Sequence, residues 1–160
     1  MASDPGRELF RHTVATLAYR GGKTLRGAPA EFAGYRVHET SRTPAQILAH
    51  MGDLLDWALS VAIGKEAWHN SAPLAWDLEV QRFFAAVERF DAVLASDAPL
   101  EESLEKLFQG PIADALTHVG QIAMLRRMAG CAMRGENYHR AAVAIGRVGH
   151  DQAPPRREFD

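Results

Sequence analysis

The sequence predicts an all-α protein built as a four-helix bundle. Four long segments carry apolar residues at the helical period of 3.6, and no segment shows the alternation of a strand. Proline and glycine mark the ends of these segments, and such helices bury their apolar faces by packing together. The chain has 160 residues, 47% of them hydrophobic, which suits one domain with a substantial core. We therefore expect a single domain over residues 1–150 and a flexible tail over 151–160.

The first helix is expected to begin at Asp4-Pro5 and to stop at Gly21-Gly22. Aspartate is a favoured N-cap residue, and proline is favoured at the first helical position. The connection that follows, residues 23–42, contains aromatic residues that a solvated linker does not need, so we expect an ordered loop packed on the bundle. The predicted apolar face of the helix consists of Leu9, Phe10, Val14, Leu17 and Ala18.

The second helix has the clearest predicted start. Thr43 is a typical N-cap residue, Pro44 follows at the first helical position, and Gln46 occupies the capping-box position. The apolar stripe of this segment keeps the helical period as far as Gly64, where we expect the helix to end. His50 lies within that stripe rather than opposite it, which makes it a candidate functional residue.

Two further helices and a short C-terminal helix complete the predicted bundle. The third helix is expected over 74–95, and a short amphipathic turn over 100–108 follows it. The fourth is expected over 110–128 or 110–129, with Pro111 at its first position. Apolar residues surround the fourth helix almost completely, which predicts that it is the most buried one. The short C-terminal helix is expected over 138–145.

Charge and composition argue against several classes of protein. The formal net charge is −2, from 18 basic and 20 acidic residues, so no basic excess indicates a nucleic-acid surface. No segment reaches the roughly 18 consecutive apolar residues of a membrane span. The single cysteine, Cys131, rules out a disulfide within the chain and a two-cysteine metal or redox motif. Because residues 1–11 also lack the apolar run of a signal peptide, we expect a cytoplasmic protein.

Two distant segments place metal-ligand side chains on predicted helices. His50 lies on the second helix, while Asp114 and His118 lie four residues apart on the fourth and so share one face. If these helices pack side by side, two imidazoles and one carboxylate converge, a set that suits a catalytic divalent metal with open positions. The alternatives are structural: Asp114 favours the first turn of a helix, and the histidines could be core residues with satisfied nitrogens.

Helical spacing adds candidates for supporting roles around this site. Asp53 is one turn from His50 and could orient its free ring nitrogen, with a solvated surface acid as the alternative. Gln121 could do the same for His118 or contact substrate. Tyr138 could line the mouth of the site, with simple packing as the alternative. The chain shows no Ser/His/Asp or Cys/His arrangement, so the sequence assigns no protein nucleophile and no organic cofactor.

The same segments resemble the DinB/YfiT-like family of metal-binding four-helix bundles. The matching stretches are residues 42–57, which include His50, and residues 110–126, which contain His118-Val119-Gly120-Gln121. The resemblance implies a bundle with a long first loop, a metal held by one histidine on the second helix and an H-x3-H pair on the fourth, and a homodimer. His50 and His118 match this pattern, whereas Asp114 stands where the family usually has histidine.

The resemblance also implies a class of reaction. Several family members are thiol-dependent, so the main hypothesis is a metal-dependent thiol S-transferase. A Zn, Ni, Mn or Fe ion on His50, Asp114 and His118 would lower the pKa of a low-molecular-weight thiol and hold the thiolate that attacks a small electrophile. A hydrolase in which the metal activates water is a related hypothesis. The third is a non-catalytic, stress-related bundle that binds a metal or a small ligand, which the aspartate at position 114 favours.

Overall fold

The structure is a computed structural model that describes residues 4–160, and it confirms an all-helical bundle. No helix within this range is both long enough and apolar enough to cross a membrane. The helices are followed by two short antiparallel strands, β1 (Gly135–Glu136) and β2 (Glu158–Phe159). The four long helices are α1 (Pro5–Leu25), α2 (Pro44–Ala62), α3 (Trp76–Ala95) and α5 (Ala113–Met128), and a single turn, α4 (Leu104–Leu107), precedes α5.

The helices α1 and α2 lie diagonally opposite each other in the bundle. Each of them packs against both α3 and α5. The connection from α1 to α2 must therefore cross the bundle, which explains its length. A 3-10 helix within it, Ala30–Gly34, buries Phe32 against Trp76 of α3, with the ring centroids 5.6 Å apart. The long loop is thus ordered and packed, as the sequence predicted.

The first helix begins as predicted but continues beyond its predicted end. The Asp4 carboxylate accepts a hydrogen bond from the Gly6 amide at 2.9 Å. Gly21 and Gly22 do not stop α1, because they serve packing: a Cβ on Gly21 would lie 3.0 Å from the ring of Phe83 on α3. Of the predicted apolar face, Leu9 is exposed and the other four residues are buried.

The predicted start of α2 is confirmed in detail. The Thr43 hydroxyl accepts from the Gln46 amide at 3.2 Å, and the Gln46 side chain accepts from the Thr43 amide at 2.9 Å. The helix ends at Ala62, two residues before Gly64, whose φ of 69° favours glycine. This well-defined start fixes the position of His50 on the helix.

The last helical run begins earlier than predicted. It starts at Leu104 rather than at Gly110, so the expected turn over 100–108 is partly helical. Pro111 lies inside the run, within a π-helical segment, Phe108–Ile112, that leads directly into α5. A π-helical turn changes the local hydrogen-bond pattern and accommodates a residue without an N–H group.

The predicted burial of the fourth helix is wrong. In α5 the side chains of Met124 and Met128 are exposed, and α2 buries more of its residues. The apolar residues of α5 surround the helix, but only the side facing α1 and α2 is covered by other helices. The end of α5 at Met128, two residues before Gly130 with its φ of 76°, agrees with the prediction.

The region after α5 contains little regular structure. The helix expected over 138–145 is reduced to one 3-10 turn, Tyr138–Arg140. The end of the segment that we expected to be a flexible tail is docked on the bundle. There β2 pairs with β1, and the Glu158 carboxylate accepts a hydrogen bond from Lys23 of α1 at 2.6 Å.

Candidate metal centre

His50, Asp114 and His118 come together where α5 packs against α2. One carboxylate oxygen of Asp114, Oδ2, lies 3.3 Å from His50 Nε2, and the other, Oδ1, lies 3.3 Å from His118 Nε2. One ligand atom from each of the three residues lies within 4.8 Å of the other two. The structure therefore brings together the three side chains that the sequence analysis placed at a metal site.

The separations within this group suit a shared metal ion. Two ligand atoms bound about 2.1 Å from a tetrahedral ion lie about 3.4 Å apart. The side chains of His50 and His118 are 19% and 10% exposed, whereas that of Asp114 is 46% exposed. The imidazoles thus form the inner part of the site, and solvent reaches it from the side of Asp114. An ion held here would keep open positions for a further ligand.

The π-helical segment before α5 helps to orient the two ligands on that helix. It inserts a wider turn just ahead of Asp114, which changes the rotation of the following residues relative to α4. Gly110 in this segment lies close to Trp57 of α2, where a Cβ would be 3.7 Å from the ring. The close approach of the two helices brings Asp114 and His118 within reach of His50.

Gln121 orients His118 from the next turn of the same helix. His118 Nδ1–H donates a hydrogen bond to Gln121 Oε1 at 2.7 Å. In this tautomer the neutral ring presents a lone pair at Nε2, and that atom faces Asp114 Oδ1. Two acceptor atoms 3.3 Å apart repel each other. A metal ion between the two atoms would replace this repulsion by attraction to both.

The surroundings of His50 favour its neutral, metal-binding form. Burial lowers the pKa of His50; the hydrogen bond to Asp114 raises it in part, and the charges of His118 and Arg42 lower it again. Trp68 covers the ring edge-on, with the centroids 5.7 Å apart. The contact of Trp68 with His50 could not be predicted from the sequence. Trp68 lies in an irregular segment, where no periodicity indicates the direction of a side chain.

Asp53 does not orient His50, which corrects one of the predictions. Its buried carboxylate accepts from the Ser71 amide at 2.9 Å, from the Ser71 hydroxyl at 2.7 Å and from Arg82. Burial alone would raise the pKa of Asp53, but the hydrogen bonds from Ser71 and Arg82 outweigh it and hold this pKa below its usual value. The alternative of a solvated surface acid is also wrong, because Asp53 is 2% exposed.

Tyr138 lies away from the three ligands, which corrects a second prediction. Its ring packs edge-on against Tyr19 of α1, with the centroids 6.2 Å apart, and the Arg20 guanidinium lies 4.3 Å from the ring centroid. The helix α1 is diagonally opposite α2, which carries His50. Tyr138 therefore packs against the bundle, as the alternative interpretation stated, and does not line the mouth of the site.

The cavity lined by His118 and the cavity lined by His50 differ in character. The first, on the side of His118, has a volume of about 560 Å³ and is largely apolar. The second, on the side of His50, has a volume of about 310 Å³ and is largely polar. Arg42 borders both. The apolar cavity is lined by residues that include Val37, Ile47, Met124, Leu125 and Met128, and the polar cavity by residues that include Gln46, Asp53, Asn70 and Ser71.

No family model matches this chain, and neither a curated protein nor a solved structure matches it. The resemblance of residues 42–57 and 110–126 to DinB/YfiT-like proteins stays a prediction from the sequence.

Proposed function

We propose that this protein is a metal-dependent enzyme that joins a low-molecular-weight thiol to a small electrophile. The observation that carries the proposal is the group of His50, Asp114 and His118, whose ligand atoms lie within 4.8 Å of one another. Two imidazoles and one carboxylate bind divalent Zn, Ni, Mn or Fe at open sites. Such an ion supplies Lewis acidity that lowers the pKa of a thiol at an open position.

The residues of the chain hold this site in a defined arrangement. Gln121 fixes the ring of His118, so that Nε2 stays directed at Asp114. Trp68 covers the ring of His50 and limits the access of water from that side. The exposed side of Asp114 is the route by which small molecules reach the centre. These roles follow from contacts and do not require any of the residues to react.

The cavities beside His118 and His50 support a reaction between two different molecules. The polar cavity, with Gln46 and Asn70 in its lining, suits a hydrophilic thiol, and the apolar one, with Met124 and Met128, suits a hydrophobic electrophile. In the transfer, the thiol sulfur forms a bond to carbon, the leaving group departs with the electron pair of its bond, and the thiol proton passes to solvent.

The sulfur in this reaction must come from a separate molecule. Cys131 is the only cysteine of the chain, and it lies 13 residues after His118. Cys131 lies beyond the end of α5, where its amide donates to the carbonyl of Arg126 at 3.0 Å. Arg126 is eight residues, or about 12 Å along the helix, from His118, so the thiol does not reach the ligands. The proposal therefore requires a thiol co-substrate rather than a protein nucleophile.

Hydrolysis is a second candidate for the same site. The Asp114 side chain is 46% exposed, so water reaches the ligands as readily as a thiol does. A bound divalent ion lowers the pKa of water and supplies a nucleophile near neutral pH. Release of product from a hydrolysable ester without any thiol would favour this candidate over the transferase.

Metal analysis tests the site independently of any reaction. Protein purified without a histidine tag is expected to bind about one equivalent of Zn, and Zn is expected to raise its Tm by mass action. The variant His50→Ala should lose both effects and Asp114→Asn should weaken both, whereas Thr117→Ala, an exposed position on the same helix as Asp114, should retain them. A wild-type protein that binds none of the four ions would contradict the proposal.

Turnover tests the reaction once metal binding is established. The metal-loaded protein is mixed with glutathione, cysteine or coenzyme A and with 1-chloro-2,4-dinitrobenzene as the electrophile. We expect thioether formation that His118→Ala abolishes and Thr117→Ala preserves. Unchanged turnover in His118→Ala would exclude this site as the catalytic centre. Metal binding without turnover of a thiol or a hydrolysable ester would favour the non-catalytic binding protein.

We also propose that the protein is a homodimer, on the basis of fold analogy alone, and that it is cytoplasmic, as its single cysteine and its N-terminal residues led us to expect. Membership in the DinB/YfiT-like family is likewise a proposal, and it rests on the resemblance of residues 42–57 and 110–126. Light scattering at micromolar concentration tests the dimer, and a monomeric mass would contradict it.

A further inference from the structure

We propose that Arg42 recognises an acidic group on the molecule that occupies the apolar cavity beside His118. The substrate would then be an apolar compound that carries a carboxylate or a similar anion. This inference rests on the proposed function and names the class of its electrophilic substrate. Arg42 immediately precedes the N-cap residue of α2 and borders both the cavity beside His118 and the cavity beside His50.

The charge of Arg42 is not neutralised by the protein. The residue is exposed and makes no hydrogen bond or ion pair with any residue between 4 and 160. Asp53 is the only carboxylate among the described residues that line either cavity, and it is already bound by Arg82 and Ser71. An anion entering the cavity would therefore find a guanidinium with free donors.

Arg82, on the neighbouring helix α3, is an arginine with a structural role and provides a comparison for Arg42. It donates to the Glu79 carboxylate at 3.0 Å and to the carbonyl of Ala49 at 3.1 Å, in addition to Asp53. The contacts with Ala49 and Asp53 hold α2 against α3, while the contact with Glu79 lies within α3. Arg42 has no comparable role in packing, so its place at the junction of the two cavities is better explained by a ligand.

Several sources of positive potential near the cavity favour the binding of an anion. The N-terminus of α2, which follows Arg42, carries the positive end of the helix dipole. A divalent ion on two neutral imidazoles and one carboxylate would add a further net positive charge.

The lining of the cavity specifies the remainder of the ligand. Val37, Ile47, Met124 and Met128 present apolar surface, and the volume of about 560 Å³ falls within the range of small-molecule sites. Methionine side chains are flexible and adapt to ligands of different shape. A hydrocarbon or aromatic body on these residues, with its acidic group at Arg42, would place a reactive carbon near His118.

Two probes that share one hydrocarbon body, one ending in a carboxylate and the other in an uncharged amide, test this inference. We suggest 4-phenylbutanoate and 4-phenylbutanamide, titrated by calorimetry into the chelator-treated and the Zn-loaded protein. The acid is expected to bind about fivefold more tightly than the amide in both forms, as an exposed ion pair supplies. In Arg42→Gln the preference should fall below about twofold, and Arg42→Lys should retain part of it.

The control is Arg127→Gln, which removes an exposed arginine of α5 that lines neither cavity. This variant should keep the wild-type preference, and the Tm of each variant confirms that it is folded. The inference is overturned by equal binding of the two probes to the wild type, by an unchanged preference in Arg42→Gln, or by no binding of either probe.

The same titrations separate this inference from the proposed function. A preference for the acid in the chelator-treated protein, together with no binding of Zn, would support the role of Arg42 and refute the metal-dependent enzyme. Normal Zn binding without a preference for the acid would refute only the role of Arg42.

Discussion

The Nδ1–H of His118 donates to Gln121 Oε1 at 2.7 Å from the adjacent turn of α5. This contact decides which nitrogen of His118 faces Asp114, and so which atom is free to bind a metal. Replacing Gln121 by Leu should lower the affinity for Zn by about 10- to 100-fold with little change in Tm without metal. Competition with a chelating dye measures the affinity, and Thr117→Ala is the control. An affinity equal to that of the wild type would show that Gln121 does not orient the ring.

The carboxylate at position 114 should contribute to the affinity for metal. Asp114→His would create a set of three imidazoles, which should retain one equivalent of metal and bind Zn and Ni at least as tightly as the wild type. Asp114→Asn keeps the shape but removes the charge, and it should weaken binding by about tenfold or more. Titration with both ions measures the effect. If Asp114→Asn bound Zn as the wild type does, Asp114 would not be a ligand.

The interface between α2 and α3 should depend strongly on Arg82. Its loss leaves Asp53 and Glu79, which are both buried, without a cation, and breaking a buried pair costs about 3–5 kcal/mol. Arg89→Met is the matched control, because Arg89 is 51% exposed and, among residues 4–160, pairs with Asp56 alone. Its loss should cost less than about 1 kcal/mol. Urea unfolding of Arg82→Met and Arg89→Met compares the two, and equal losses would contradict the buried network.

The same network should make stability sensitive to acid. The pKa of Asp53 in the folded protein lies below its usual 3.8, so the folded state holds the ionised form more strongly than the unfolded state does. Its contribution is therefore complete above about pH 5 and is lost as the pH falls below about 4. The difference in unfolding free energy between wild type and Asp53→Asn should shrink from pH 6 to pH 3. A constant difference across this range would contradict the assignment.

Lys23 should hold the C-terminal strand on the bundle. It lies 2.6 Å from the Glu158 carboxylate and 3.4 Å from that of Glu136, which is buried and also accepts from the Tyr19 hydroxyl at 2.7 Å. In Lys23→Met, hydrogen exchange at the amides of β1 and β2 should accelerate about tenfold or more. The control is Lys65→Met, at an exposed position. Unchanged exchange would show that strand pairing alone retains the tail.

Local chemistry explains which elements could be predicted from the sequence. The capping box of Thr43 and Gln46 depends only on residues three apart, and the structure shows both of its hydrogen bonds. Gly21 and Pro111 were misinterpreted because each usually ends or begins a helix. In this fold Gly21 instead allows Phe83 to approach, and Pro111 lies in a π-helical segment. Neither circumstance is visible without the neighbouring helix or the local hydrogen-bond pattern.

The candidate site also combines features that the sequence determines with features that depend on tertiary packing. The spacing of Asp114 and His118 on one helical face follows from the 3.6-residue period, so the sequence determined that they lie together, and it placed Gln121 beside His118. Which groups face these residues across the bundle is a matter of long-range packing. Arg82 reaches Asp53 from α3, and the irregular segment after α2 brings Trp68 onto His50.

The sequence by itself therefore determined the helices, most of their starts and the residues that share one face of each, because these features depend on contacts within a few residues. Only the tertiary structure decided that His50 meets Asp114, that Asp53 is bound by Arg82, and that Arg42 borders two cavities. These relationships join residues from different helices and loops. Their geometry is set by how the helices pack, which a periodic pattern along one segment does not specify.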